Sequence, residues 1–111
     1  MSDSLKVLGQ LAPSATTLTT LYTVPSLAQT TISSITVCNR SGSGVTYRIL
    51  VSVAGAATDN KQYLFYDKAL SANSTDTIVI GITLNESDLV KVYASSGDLS
   101  FNAFGCETQG E

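Results

Sequence analysis

Apolar and polar residues alternate with period two along most of this chain, most clearly near its C-terminal end. Between Asp88 and Phe104 two alternating runs flank Ser95, Ser96, Gly97 and Asp98. Val90, Val92 and Ala94 oppose Leu89, Lys91 and Tyr93, and Leu99, Phe101 and Ala103 oppose Ser100, Asn102 and Phe104. Two such runs around a Gly-containing loop predict a β-hairpin with one face in a core. Val45 to Val53 predicts a second long strand, with Val45, Tyr47, Ile49, Val51 and Val53 on one face. Lys61 to Asp67 predicts another, with Tyr63 and Phe65 opposite Tyr66. Thr77 to Leu84 is a continuous apolar run, the pattern of a strand buried on both faces, with Gly81 allowing a bulge or close approach.

The N-terminal part follows the same rhythm. Ser4 to Leu11 predicts a first strand interrupted at Gly9, or an arm that pairs with another subunit. Pro13 ends it, because proline donates nothing to a ladder and restricts the residue before it. Leu18 to Val24 is closed by Pro25. In Thr31 to Cys38, Ile32 is out of phase with Ile35 and Val37, which predicts a bulge at Ser33-Ser34. Asn39–Gly44, Ala54–Asn60, Ser71–Asp76 and Asn85–Ser87 are turn-rich. Seven or eight strands at this spacing indicate an all-β fold, a β-sandwich or small barrel. The expectation is a single antiparallel sandwich, jelly-roll or immunoglobulin-like, over residues 18–107, with 1–17 as arm or first strand and 108–111 as a tail.

Composition strengthens this reading. A chain of 111 residues suffices for one domain. It contains 14 Thr, 15 Ser, nine Val and six Ile, residues that suit pleated strands, and only 14% charged residues. Net charge is −3 with six basic residues spread along the chain, which argues against a nucleic-acid surface. No apolar run is long enough to span a bilayer, and the first residues lack the pattern of a secretory signal, so a soluble protein without membrane contact is expected. Cys38 and Cys106 lack CxxC spacing and read as buried small apolar residues rather than a disulfide.

Charge is distributed unevenly. The 33 residues between Lys6 and Arg40 carry no charged side chain. Strands that alternate Thr outward and aliphatic inward account for this in one reading. In the other, the surface is covered in use, since exposed strand edges are normally protected by charge and interface cores are depleted in it. On that second reading Val7, Leu8, Leu11, Leu18, Leu21, Tyr22, Leu27 and Ile32 are the candidate interface residues.

The residue chemistry names no reaction. Histidine is absent, which removes the commonest general base and metal ligand. Asp59, Asp67, Asp76, Asp88 and Asp98 fall at strand ends and turns, where Asp bonds its own backbone, and no EF-hand-type loop is present. Neither catalysis nor a cofactor is expected. Five tyrosines are candidates for core and interface packing, with Tyr63 and Tyr66 as a candidate glycan-stacking pair.

Several segments carry a family resemblance. These are Leu21–Pro25, Val37–Arg40, Gln62–Asp67, Gly81–Leu84 and Leu99–Gly105. In order and spacing they resemble a group of small structural proteins and modules of tailed bacteriophages, across roughly residues 5 to 107. That resemblance implies a non-enzymatic β-sandwich virion component with no catalytic residues. The leading expectation is a capsid decoration (cement) protein on the virion exterior, made in the bacterial host cytoplasm. It would bind the major capsid protein as a homo-oligomer, with a trimer favoured. The alternatives are a tail, collar or fibre-attachment component bound to tail proteins, and a host-surface carbohydrate-binding module.

Overall fold

The computed structural model describes residues 2–109. Met1, Gly110 and Glu111 lie outside the described residues, and with them one end of the expected arm and half of the expected tail. Nine strands form, β1 (Ser2–Leu11), β2 (Thr19–Thr23), β3 (Ala28–Asn39), β4 (Val45–Ser52), β5 (Tyr63–Leu70), β6 (Thr75–Ile78), β7 (Ile82–Leu84), β8 (Leu89–Ala94) and β9 (Leu99–Gln109). They build two antiparallel sheets. Sheet A has the order β1-β9-β3-β6, with β7 also paired to β3, and sheet B has the order β2-β8-β4-β5. With β6 and β7 counted as one interrupted strand, first pairs with last, second with seventh, third with sixth and fourth with fifth. This nested order is that of a jelly roll, one of the two sandwich types expected.

The inward faces meet in a single core. Ile32, Ile35, Val37, Phe101 and Ala103 come from sheet A and Tyr47, Ile49, Val90, Val92 and Ala94 from sheet B, all essentially without solvent contact. Tyr47 meets Phe101 edge-on across the sandwich, with ring centroids 6.2 Å apart. Burial of these side chains at roughly 1.5–3 kcal/mol each is the main term holding the sheets together.

Three expectations need correction. The Asp88–Phe104 segment is not a hairpin. Its strands β8 and β9 lie in different sheets, and the loop Ser95–Asp98 crosses between them. Alternation reports which face a side chain takes, and Val92 and Phe101 face the same core from opposite walls. Nor is Thr77–Leu84 one buried strand, because it breaks after Ile78 and leaves Val79 75% exposed. The break lies opposite the β3 bulge, where the register with β9 shifts between Ile32 and Ser34, so the neighbouring strand releases β3 at the same level. Val53 does not continue β4 and is 67% exposed. Ala54 turns into a left-handed conformation (φ 53°), and its N–H donates to the buried Asp88 carboxylate at 2.8 Å.

Glycine has a packing reason at two positions. The register of β1 against β9 shifts between Val7 and Gly9, and a Cβ at Gly9 would collide with the Leu21 carbonyl oxygen. A Cβ at Gly105 would collide with the Thr31 carbonyl. Both collisions are with backbone, which cannot step aside.

Candidate interaction surface

Sheet A turns one face to the core and the other outward. On β9 the buried residues Leu99, Phe101, Ala103 and Glu107 are odd-numbered, so Ser100, Asn102, Phe104 and Cys106 face out. On β3 the outward set is Thr31, then Ser34, Thr36 and Cys38 beyond the bulge. Cross-strand register places Thr36 beside Asn102 on one side and Thr77 on the other, and Thr31 beside Cys106 and Thr83. The edge strand adds Leu5 beside Cys106 and Val7 beside Phe104. Between Asp3 at one end and Arg40 at the other, this outward face presents hydroxyls, amides, two thiols and apolar side chains, and no ionised group. Arg40 donates to Ser100 Oγ at 2.9 Å and to the Gly97 carbonyl at 3.0 Å, which lays it over that end of the face.

Apart from Asp3, the described charges on the strands of this sheet lie on its inner-face side. Lys6 Nζ donates to Glu107 Oε1 at 2.9 Å, and the Tyr22 hydroxyl donates to Glu107 Oε2 at 2.6 Å and contacts Thr30 Oγ1 at 2.7 Å. Four strands are thereby tied together at one carboxylate. The Tyr22 hydrogen bond, with that of Lys6, holds the Glu107 carboxyl below its ordinary range, against the opposing effect of burial. Burial, assisted by Glu107, pushes the Tyr22 phenol up to about 12.

Sheet B is different outside. One residue of β4, Arg48, stands opposite two of β5, Tyr66 and Asp67, since Tyr47 pairs with Lys68 and Ile49 with Phe65. Asp67 takes φ 50° there, and its carboxylate accepts two bonds from Arg48, at 2.7 and 3.3 Å. The guanidinium lies 4.2 Å from the Tyr66 ring centroid and 4.3 Å from that of Tyr93, and Tyr63 meets Tyr66 at right angles at 4.9 Å. The Asp67 bonds raise the Arg48 pKa further, so it is a fixed cation.

The eight candidate interface residues do not share one surface. Val7 is exposed on the β1 edge, whereas Leu8 and Leu11 pack against the core and Leu18 is half-buried. Leu21, Tyr22 and Ile32 belong to the core cluster. Leu27 is 62% exposed at φ 62° in the β2–β3 loop, its N–H bonded to Glu86. Of the candidate glycan pair, Tyr66 is exposed and Tyr63 half-buried, and Arg48 covers one side of the Tyr66 ring. Phe104, Cys106, Cys38 and Thr77 were not singled out from the sequence, although the even phase of β9 marks the first two as outward.

The two cysteines are free and half-exposed rather than buried. They sit on adjacent strands, but Cys38 faces Ser100 and Cys106 faces Thr31, an offset of roughly 20 Å along β9 at about 3.3 Å per residue. Among the described residues no group of three potential metal ligands occurs, every buried side-chain nitrogen and oxygen has a hydrogen-bond partner, and no helix is long and apolar enough to cross a membrane.

No family model matches the chain, and no curated protein matches it in sequence. Among solved structures it is similar to a chain of the structure of infectious bursal disease virus, Gx strain. The TM-score is 0.56 at 14% identity, over 96% of this chain and 32% of that one. A chain of the Gt strain structure gives 0.50 at 11% identity, over 95% and 31%. This chain therefore spans about a third of the length of the viral chains it matches. At such identity the likeness is one of fold, the same jelly-roll sandwich.

Proposed function

We propose that this chain is a structural subunit of a virus particle that acts by binding alone, as a capsid decoration protein docked through the outer face of sheet A. The observation that carries the reading is that face: four strands wide and free of ionised groups between Asp3 and Arg40. Such a surface loses little on desolvation, because few charges have to be stripped of water. One further point supports it: the fold is shared with chains of a virus structure. In this reading the partner is the major capsid protein of a tailed bacteriophage, the chain sits on the particle exterior, and neither cofactor nor nucleic acid takes part. Weak single contacts repeated over a symmetric lattice then give strong total attachment.

The experiment is to count copies per purified particle for the native chain and for Thr36→Arg, and to locate them by labelled antibody. Thr36 lies at the centre of the face, so the added charge should strip the particles of the protein while the fold persists. Unchanged occupancy would refute the docking face. Label confined to one vertex would refute decoration in favour of a tail, collar or fibre-attachment site. Glycan binding that is lost in Tyr66→Ala would move the binding function to sheet B.

A further inference from the structure

We propose that the first half of β1, from Ser2 to Val7, is a self-pairing edge that adds antiparallel to the same segment of a second copy, about a two-fold axis at Leu5, joining two A sheets into one. The inference concerns the free protein and does not depend on the particle reading. It replaces the three-fold symmetry expected from the sequence with a two-fold one.

The sandwich has four edges, and three are protected in ways that prevent strand addition. The β5 edge carries two register shifts against β4, the left-handed Asp67 and the charges of Asp67 and Lys68. The β2 edge is five residues long with a register shift between Thr20 and Tyr22, and Pro25 follows it closely. The edge formed by β6 and β7 is broken at Val79–Gly81. The β1 edge is ten residues long, and its shift comes only after Val7. From Ser2 to Val7 it runs in unbroken register with Gln109 to Phe104, so its other side offers a straight row of backbone donors and acceptors.

The residue that would ordinarily guard such an edge is turned away. Lys6 stands on the inner-face side of the strand, its side chain 46% exposed and its amino group held on Glu107. On the outward face stands Leu5, 86% exposed, the highest exposure of any large apolar side chain described. Val7, Phe104 and Cys106 continue the apolar surface beside it.

Charge selects the second copy and the register. Antiparallel pairing of identical strands about a two-fold axis sets one residue opposite itself. Centred on Asp3 or Lys6 it would oppose like charges, which is unfavourable. Centred on Ser4 it would set Leu5 against Asp3. Centred on Leu5 it sets Leu5 against Leu5, Ser4 against Lys6 and Asp3 against Val7, so no like charges meet and the most exposed apolar side chain covers its own symmetry mate.

Sedimentation of the purified full chain over a range of concentrations tests the dimer. The native chain should show a reversible monomer–dimer equilibrium. Leu5→Lys should weaken it at least tenfold, and Leu64→Lys on the protected β5 edge should leave it unchanged. A second variant reads the register. In a Cys38→Ser, Cys106→Ser background, Leu5→Cys should give a covalent dimer on mild oxidation, because directly opposed residues have Cα atoms about 4.5–5.5 Å apart, within disulfide range. Val7→Cys in the same background should not. A native chain that stays monomeric, a dimer indifferent to Leu5→Lys, or crosslinking through Val7→Cys in place of Leu5→Cys would each overturn the proposal.

Discussion

Sheet B covers its outer face with Lys91 and with Arg48, Asp67 and three tyrosines that pack on one another, whereas sheet A presents hydroxyls, two thiols, Phe104 and an exposed leucine edge. Both rest on the same core. In sheet B the cation is neutralised by Asp67 and flanked by Tyr66 and Tyr93, so that surface is complete in the isolated chain. In sheet A the half-exposed Lys6 and the buried Glu107 bond each other on the inner-face side, beside Tyr22 and Thr30. A face without charge and without internal satisfaction of its apolar groups is one suited to a partner. On the function proposed above, one exterior serves stability and the other association.

The largest expected effect comes from removing the wall both sheets share. Phe101→Ala should cost about 3–5 kcal/mol of unfolding free energy in a denaturant titration, because the ring fills the space against Tyr47. A loss below about 1 kcal/mol would mean that the sheets do not depend on a common core.

Next in size is the exterior of sheet A. Thr36→Arg should weaken particle binding by about 2 kcal/mol or more, the effect of an unpaired charge in an interface, while unfolding free energy changes by less than about 0.5 kcal/mol. The same measurements on Lys91→Ala in sheet B should show neither effect. Equal losses of particle binding from the two variants would erase the distinction between the faces.

Smaller again is the internal cluster of sheet B. Arg48→Ala removes an exposed ion pair and two cation–π contacts and should cost about 1 kcal/mol in stability, with no change in particle occupancy. Loss of occupancy at intact stability would move the docking site to sheet B.

The smallest effect is on pH dependence, and it sharpens the role of the inward charges. The Glu107 carboxyl titrates lower in the folded chain than in the unfolded one. Its contribution is therefore present above the ordinary value of 4.5 and is lost as pH falls through the lower folded value. The Tyr22 phenol is raised from 10.0 to about 12, so its contribution is present below pH 10.0 and disappears as pH rises towards about 12. Thermal melts of Glu107→Gln should lack the acid limb of this loss. An unchanged acid limb would mean that the Lys6–Glu107–Tyr22 contacts do not stabilise the fold.

What was legible in the sequence follows from what period two encodes. It assigns each side chain to a face, and the faces of β3, β8 and β9 were read correctly, including the phase change at Ser33-Ser34. It does not name the neighbouring strand. The runs either side of Ser95–Asp98 look alike whether they pair or face each other across a core, and the jelly roll does the latter. Hydropathy also misled at Val79 and Ile80, which are apolar yet lie where the strand lets go of β3. The Lys6–Glu107 contact joins residues 101 positions apart. Its one local trace is a carboxylate in the buried odd phase of β9. The uncharged stretch from Val7 to Asn39 pointed to association, but its residues divide between core and surface. The outward face is completed instead by β9, far along the chain, and by hydroxyls of β6 and β7.

Cys38 and Cys106 provide the most direct test, because both native thiols lie on the outer face of sheet A and neither is bonded. The measurement is the rate at which a bulky thiol reagent modifies them in the free protein and in the particle-bound protein. Strong protection of both cysteines on the particle, with free-protein rates restored on release, is the predicted result. Equal rates in the two states would contradict the assignment of this face to the partner.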